Sequence, residues 1–261
     1  MCTLTWFRDD EQYQVFFNRD EQRTRQQANI PSAIEHQSIT VLLPIDPDGG
    51  GSWISVNQLG LTLCLLNYYQ GSTPAGRLIS RGKLLRSFAH LEDIEQVAQA
   101  IKSLDLMNYA PFSLVAFARS SVLHASSSAP GSALHTNKIT EQVFQWDGKQ
   151  LGSFAPNNMM TSSSVSFDEV FKTRTQLFAA SFSSPAPGVN PTLRRIQHKN
   201  YHATDDNGDK NYRAVCMHRE DAKTVSFSHI SVINQEVTFN YIDGSPCESS
   251  DYVPPLSIAA P

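Results

Sequence analysis

Within the first twenty residues, two runs rich in aromatic and β-branched side chains, Thr3 to Phe7 and Gln14 to Phe17, flank the charged string Arg8 to Gln12. Runs of this kind favour extended backbone and the string between them supplies a turn, so the chain is expected to begin as an antiparallel hairpin. With the turn centred near Asp10 and Glu11, residues facing each other across the hairpin have numbers summing to about 21. Cys2 then lies opposite Arg19, one step from Asp20. A one-residue slip would move every side chain to the other face, so this register is the expectation on which the functional reading depends.

The rest of the chain repeats the strand signature. Ile39 to Leu43, Trp53 to Val56 and Leu61 to Tyr68 read as strands, the last two joined by the turn Asn57 to Gly60. A helix is expected from Leu91 to Leu106, where Ile94, Val97, Ala98, Ile101 and Leu104 share a face. Leu114 to Ala118 and Gln142 to Trp146 read as strands, the second ending in the turn Asp147-Gly148. A second helix is expected from Ser166, whose capping box is completed by Glu169, with Val170, Phe171, Leu177 and Phe178 as its apolar stripe. Arg213 to Met217, Thr224 to Ile233 and Glu236 to Tyr241 return to β. The polar stretches 125–137 and 183–191 read as surface loops. Many antiparallel strands with at least two amphipathic helices specify an α+β sandwich rather than alternating βαβ units.

Composition narrows the function classes. The 261 residues suffice to bury a core, and 40% hydrophobic with 18% charged residues is ordinary for a globular protein. No apolar run reaches the ~18 residues of a membrane span, and no charged-then-apolar leader is visible, so a cytoplasmic protein without an integral membrane segment is expected. A net charge of -4 and a pI near 6.0 argue against a nucleic-acid partner. Of the four cysteines, none pair with CxxC spacing and no disulfide framework is expected. Cys64 and Cys216 fall in apolar runs and Cys247 follows a turn, which leaves Cys2 without a packing explanation.

Removal of an initiator methionine ahead of a small side chain would leave Cys2 with a thiol and a free α-amine on one residue. That amine, with a pKa of about 7.7 to 8.0, can take the thiol proton, and the resulting thiolate is the nucleophile. A guanidinium near the thiol favours the thiolate, and a carboxylate near the amine orients it. Attack on an amide also needs donors for the developing oxyanion, and Asn67, at the polar end of an apolar strand, is a candidate.

The Met-Cys start, the string Phe16 to Glu21 ("FFNRDE"), the block Gly49 to Tyr69, Met160 to Ser164 and the late run from Cys216 to Ile230 resemble the NRDE family, also called the transport and Golgi organisation family. More distantly, the layout is similar to the N-terminal-nucleophile amidohydrolases that include penicillin V acylase and bile salt hydrolase. The resemblance implies a single domain over 1–261, folded as a four-layer αββα sandwich with the nucleophile on an edge strand facing a cleft between the sheets. It implies Cys2 as nucleophile, Arg19 and Asp20 as the pair steadying thiol and amine, and Asn67 as the oxyanion or substrate-positioning residue. Asn18, Trp53, Ser162, Ser163 and Arg174 become candidates for substrate contact, although Arg174 also reads as a surface residue on an amphipathic helix. In the acylases the Arg and Asp are separated by intervening residues, whereas here they are adjacent. The implied activity is Cys2-dependent hydrolysis of a linear amide or acyl bond. The alternative implied by the family is a non-catalytic carrier of haem or an acyl-CoA-like hydrophobic ligand. No cofactor is expected.

His198 and His202, with Asp205, Asp209, Cys216 and His218 downstream, suggest a metal, but the stretch 198–210 is polar throughout and lacks the apolar stripe of a ligand-bearing helix, so none is expected. The glycines of Asp46 to Gly51 lack the partners of a phosphate loop and are read as permitting close backbone approach to the cleft.

Overall fold

The computed structural model describes residues 1–9, 12–125, 133–182 and 190–259. Its first two strands, β1 (Cys2–Arg8) and β2 (Gln12–Gln22), pair antiparallel from Cys2 opposite Arg19 to Arg8 opposite Tyr13, the expected register. Asp10 and Glu11, the expected turn centre, lie outside the described residues. The remaining strands are β3 (Asn29–His36), β4 (Ile39–Ile45), β5 (Ile54–Asn57), β6 (Thr62–Asn67), β7 (Phe112–Ala125), β8 (Ala133–Trp146), β9 (Leu151–Phe154), β10 (Met159–Ser162), β11 (Ala222–Ile233), β12 (Glu236–Ile242) and β13 (Leu256–Ala259). They form a six-stranded sheet in the order β10-β1-β2-β11-β12-β13 and a seven-stranded sheet running from β3 to β9 in chain order.

Strand alternation distributes the side chains into layers. Leu4, Trp6, Tyr13, Val15 and Phe17 point inward and meet Leu42, Ile54, Val56, Cys64, Val115 and Phe117 of the other sheet. On the far side of the seven-stranded sheet, Leu63, Leu114 and Ala116 pack under α1 (Arg81–Phe88) and α2 (Ile94–Lys102). On the far side of the six-stranded sheet, α3 (Phe167–Ser181) packs on β10, and α4 (Pro191–His202) packs on β1 and β2. The expected αββα sandwich is what the chain forms. One detail differs: β10 pairs with β1 outside it, so Cys2 sits on the second strand rather than on an edge. Among the described residues, no helix is long and apolar enough to cross a membrane.

Departures from the sequence reading have local causes. The helix expected over Leu91 to Leu106 is confined to α2, because Asp93 caps it by accepting from the Gln96 N–H at 2.8 Å. Ser166 makes no capping box: it has φ 41°, and Glu169 instead accepts from the Tyr212 hydroxyl at 2.5 Å. In α3, Val170 and Arg174 are buried whereas Phe171 is 45% exposed, so the expected stripe is rotated. Arg213 to Met217 is not a strand. Its residues from Ala214 to Met217 are buried, but the backbone is irregular and held by hydrogen bonds from Cys216 N–H to Thr204 O and His218 N–H to Lys210 O. Helix α4 forms where no helix was expected, because its buried face consists of His198, Tyr201 and His202 rather than aliphatic residues. The loop read over 125–137 is shortened by β7 and β8; residues 126–132, and 183–189 of the second loop, lie outside the described residues.

Candidate active site

Cys2 and Arg19, paired across β1 and β2, both project toward the space between the sheets, where a cleft of about 410 Å³ opens. Cys2, Arg19, Trp53, Leu65, Asn67 and Arg81 line it. The floor comes from β1, β2 and β6, and the wall from the start of α1. Gly51 allows that wall to close: a Cβ there would stand 2.2 Å from the Gly82 carbonyl carbon, so side chains are excluded where the two backbones meet. The expected close approach at this loop is therefore present.

Arg19 is nearly buried and held from two sides. Its guanidinium lies 4.1 Å from the Trp53 ring centroid, and its Nη2 stands 3.2 Å from Glu21 Oε2 and 3.6 Å from Asp46 Oδ2. Arg25 completes the rim with a 2.5 Å contact to Asp46. Trp53 thus supports an arginine with its ring face, and its Nε1 has no hydrogen-bond partner among the described residues.

Asp20 points the other way, to the face covered by α3 and α4. Its Oδ1 accepts from Thr224 Oγ1 at 2.7 Å, and its Oδ2 stands 3.7 Å from Arg174 Nη2, too far for a hydrogen bond. Desolvation raises the Asp20 pKa, opposed by the Arg174 and N-terminal charges and by the Thr224 hydroxyl.

Arg174 is neither on the surface nor in the cleft. It is fully buried and donates to Thr3 Oγ1 at 2.5 Å, to Thr161 Oγ1 at 2.9 Å and to the Ala214 carbonyl at 2.7 Å. Enclosed on that side, it has no path to a substrate in the cleft. Asn18 also faces away from Cys2: its Nδ2 donates to the carbonyls of His202 at 2.8 Å and Val215 at 3.0 Å, clamping α4 and the irregular segment to β2. The expectation of substrate contact fails for Asn18 because its neighbour Arg19 takes the cleft side of the strand.

Ser162 pairs directly with Cys2 and so shares its face; its hydroxyl is buried with no partner among the described residues. Ser163 is occupied, its Oγ standing 2.8 Å from Met1 Sδ and donating to the Val165 carbonyl at 2.5 Å. Asn67 does line the cleft, with its Nδ2 donating to the Tyr69 hydroxyl at 2.8 Å.

Two residues the sequence reading passed over belong here. Arg81 enters from the first turn of α1, anchored by a 2.8 Å bond to the Pro111 carbonyl, and desolvation lowers its pKa. Burial raises the Tyr69 pKa, and a charge on Cys2 would raise it further. Tyr69 ends the block Gly49 to Tyr69, whereas Arg81 lies outside every motif and element read from the sequence.

Met1 is buried against this site. Its carbonyl accepts from the Asp20 N–H at 2.9 Å. While Met1 is attached, the nitrogen of Cys2 is an amide. Burial raises the thiol pKa and the nearby Met1 ammonium lowers it, the net direction being up.

Two sheets between two helical layers, with a cysteine at the second residue lining the cleft, define the N-terminal-nucleophile hydrolase fold. Residues 1–212 match Transport and Golgi organisation 2, and the chain belongs to that family. Two similar solved structures are a cysteine-to-alanine mutant and an arginine-to-leucine variant of conjugated bile acid hydrolase from Clostridium perfringens. The first has TM-score 0.55 and 12% identity, covering 99% of this chain and 92% of that one. The second has TM-score 0.56 and 12% identity, covering 98% and 92%. Among curated proteins, none matches.

Proposed function

We propose that this chain, freed of Met1, hydrolyses a linear amide or related acyl bond through an acyl-enzyme on Cys2. The observation that carries the reading is Cys2 lining a cleft with Arg19 on its own side of the sheet, while Asp20 keeps one buried carboxylate oxygen without a hydrogen-bond donor among the described residues. An unpaired buried acceptor is costly, and a terminal ammonium on Cys2 is the donor that would satisfy it.

The chemistry needs no further base. The α-amine takes the thiol proton, and the thiolate adds to the substrate carbonyl. Asn67, released from Tyr69, and Arg81 are the side chains placed to donate to the oxyanion. Collapse of the intermediate expels the amine, which leaves with the proton held on the α-ammonium. Water, deprotonated by the same nitrogen, then cleaves the thioester and regenerates Cys2. Ser162, whose hydroxyl on the same face has no partner among the described residues, is a further candidate for substrate contact. The similar structures are named as hydrolases of conjugated bile acids, which supports a hydrolase reading and leaves the substrate of this chain open. We read residues 1–261 as one such domain, because β11 to β13 complete the sheet that carries Cys2.

The carrier alternative draws less support from the cleft. Arg19, Glu21, Arg25, Asp46 and Arg81 give it a charged lining, whereas pockets for large apolar ligands are walled mainly by hydrocarbon.

The test compares three chains by intact mass and by labelling with an acylating β-lactone: wild type, Cys2→Ala, and a chain with one extra residue ahead of Cys2. Expected are loss of Met1 and stoichiometric labelling in the wild type, none in Cys2→Ala, and slow labelling when the amine is blocked. Equal labelling of Cys2→Ala, or an unreactive chain with its amine free, refutes the reading.

A further inference from the structure

On the opposite side of Thr224 from Asp20, three residues distant in sequence bring sulfur and nitrogen atoms together. Cys216 and His218 come from the irregular segment before β11, and Cys247 from the turn after β12. All three ligand atoms lie within 4.8 Å of one another. His218 Nε2 is 3.2 Å from Cys247 Sγ and 3.8 Å from Cys216 Sγ. Zinc bound tetrahedrally at ~2.3 Å to sulfur and ~2.0–2.1 Å to nitrogen sets these two kinds of atom about 3.6 Å apart, midway between the observed values.

The backbone makes this geometry durable. Met217 and Thr224 are joined twice, by Thr224 N–H to Met217 O at 2.8 Å and Met217 N–H to Thr224 Oγ1 at 2.9 Å. The later turn is tied to the same residue by Ser245 Oγ donating to Thr224 O at 2.6 Å. A second observation points to a ligand: the other ring nitrogen of His218, Nδ1, stands 3.5 Å from Glu248 Oε1. A carboxylate behind the free nitrogen is the arrangement that fixes the tautomer and orientation of a metal-bound histidine.

We propose that Cys216, His218 and Cys247 bind one zinc ion, with Glu248 orienting the histidine and solvent completing the coordination. Two sulfurs and an imidazole select a soft or borderline cation over magnesium or calcium. The site is separate from the Cys2 cleft and runs against the sequence-based expectation that no metal is present. One link to Asp20 runs through Thr224, which donates from its hydroxyl to Asp20 Oδ1 and accepts from Met217 N–H.

The test is a zinc titration of reduced, metal-free chain against a chromophoric chelator, in a Cys2→Ala background that removes the other reactive thiol. Expected is one zinc per chain. His218→Ala and the half-buried Cys247→Ser should each weaken binding about 100-fold or more, and Glu248→Gln about 10-fold. Circular dichroism and denaturation midpoints identify any variant that fails to fold, and Glu248→Gln, whose side chain is half exposed, decides should the ligand variants fail. No zinc uptake, uptake unchanged in folded ligand variants, or a native chain isolated two hydrogens light with Cys216 and Cys247 joined would overturn the proposal.

Discussion

The two faces of the β1–β2 hairpin are built from alternate residues of the same strands and have opposite physical character. The inner face near the chain start, with Cys2 and Arg19, borders an open cleft where charges are paired at a solvated rim. The outer face, with Thr3, Thr5, Asn18 and Asp20, is sealed under α3 and α4 yet almost as polar. There most polar groups are bonded to protein: Thr5 Oγ1 lies 2.7 Å from His198 Nδ1 and 2.9 Å from His202 Nε2, and the Phe16 ring is stacked between His198 and His229, while Asp20 Oδ2 is left without a partner among the described residues. Polar groups that face water can be exchanged at little cost, whereas those under the helices must find protein partners. The comparison teaches that Cys2, the proposed nucleophile, borders the cleft, while Asp20, proposed to pair with its terminal amine, is held behind the sheet.

The largest expected effect tests that division on the sealed face. Arg174→Met removes the guanidinium beside Asp20 and strands two hydroxyls and the carbonyl of Ala214, so stability should fall by about 3–5 kcal/mol in urea denaturation. A loss below about 1 kcal/mol would mean that water enters beneath α3.

Acid should act through the same face. Burial lowers His198 and His229 to about 3 and His202 further below its ordinary value. Below the unfolded value near 6.5 the unfolded chain therefore binds more protons than the folded one. Stability should be full above pH 6.5 and decline as pH falls toward 3, each histidine contributing a slope of up to about 1.4 kcal/mol per pH unit. Denaturation midpoints between pH 7 and 4 check this; a flat profile would show these rings charged or solvated.

A smaller loss, about 1–3 kcal/mol, is expected for Asn18→Leu, which leaves the His202 and Val215 carbonyls without their donor. The smallest belongs to the cleft face: Arg19→Gln loses the contact with the Trp53 ring but leaves Glu21 and Asp46 paired with Arg25, and should cost about 1–2 kcal/mol. Its labelling rate at Cys2 should fall nonetheless. A stability loss matching that of Arg174→Met would erase the contrast between the faces.

How much was legible follows the same contrast. The hairpin register was readable because the charged string Arg8 to Gln12 marks the turn between two aromatic and β-branched runs, and centring it near Asp10 and Glu11 placed Cys2 opposite Arg19. Strand β3 escaped notice because it is an exposed edge strand with Pro31 at its irregularity, so little burial pattern marks it. Helix α4 carried legible end signals, Asn190 accepting from the Thr192 N–H ahead of Pro191, but its buried face is histidine and tyrosine. The burial of Ala214 to Met217 was correctly sensed and wrongly converted to a strand, since a short apolar run does not specify its backbone.

The sequence by itself determined the two-residue periodicity, the hairpin register and hence which residues share a face with Cys2, because these follow from local backbone geometry and the alternation of hydrocarbon. Only the tertiary structure decided that Arg174 lies buried behind Asp20, that Arg81 enters the cleft, and that Cys216, His218 and Cys247 converge. Those juxtapositions join segments tens to hundreds of residues apart, and their distances are set by how sheets and helices pack rather than by any spacing along the chain.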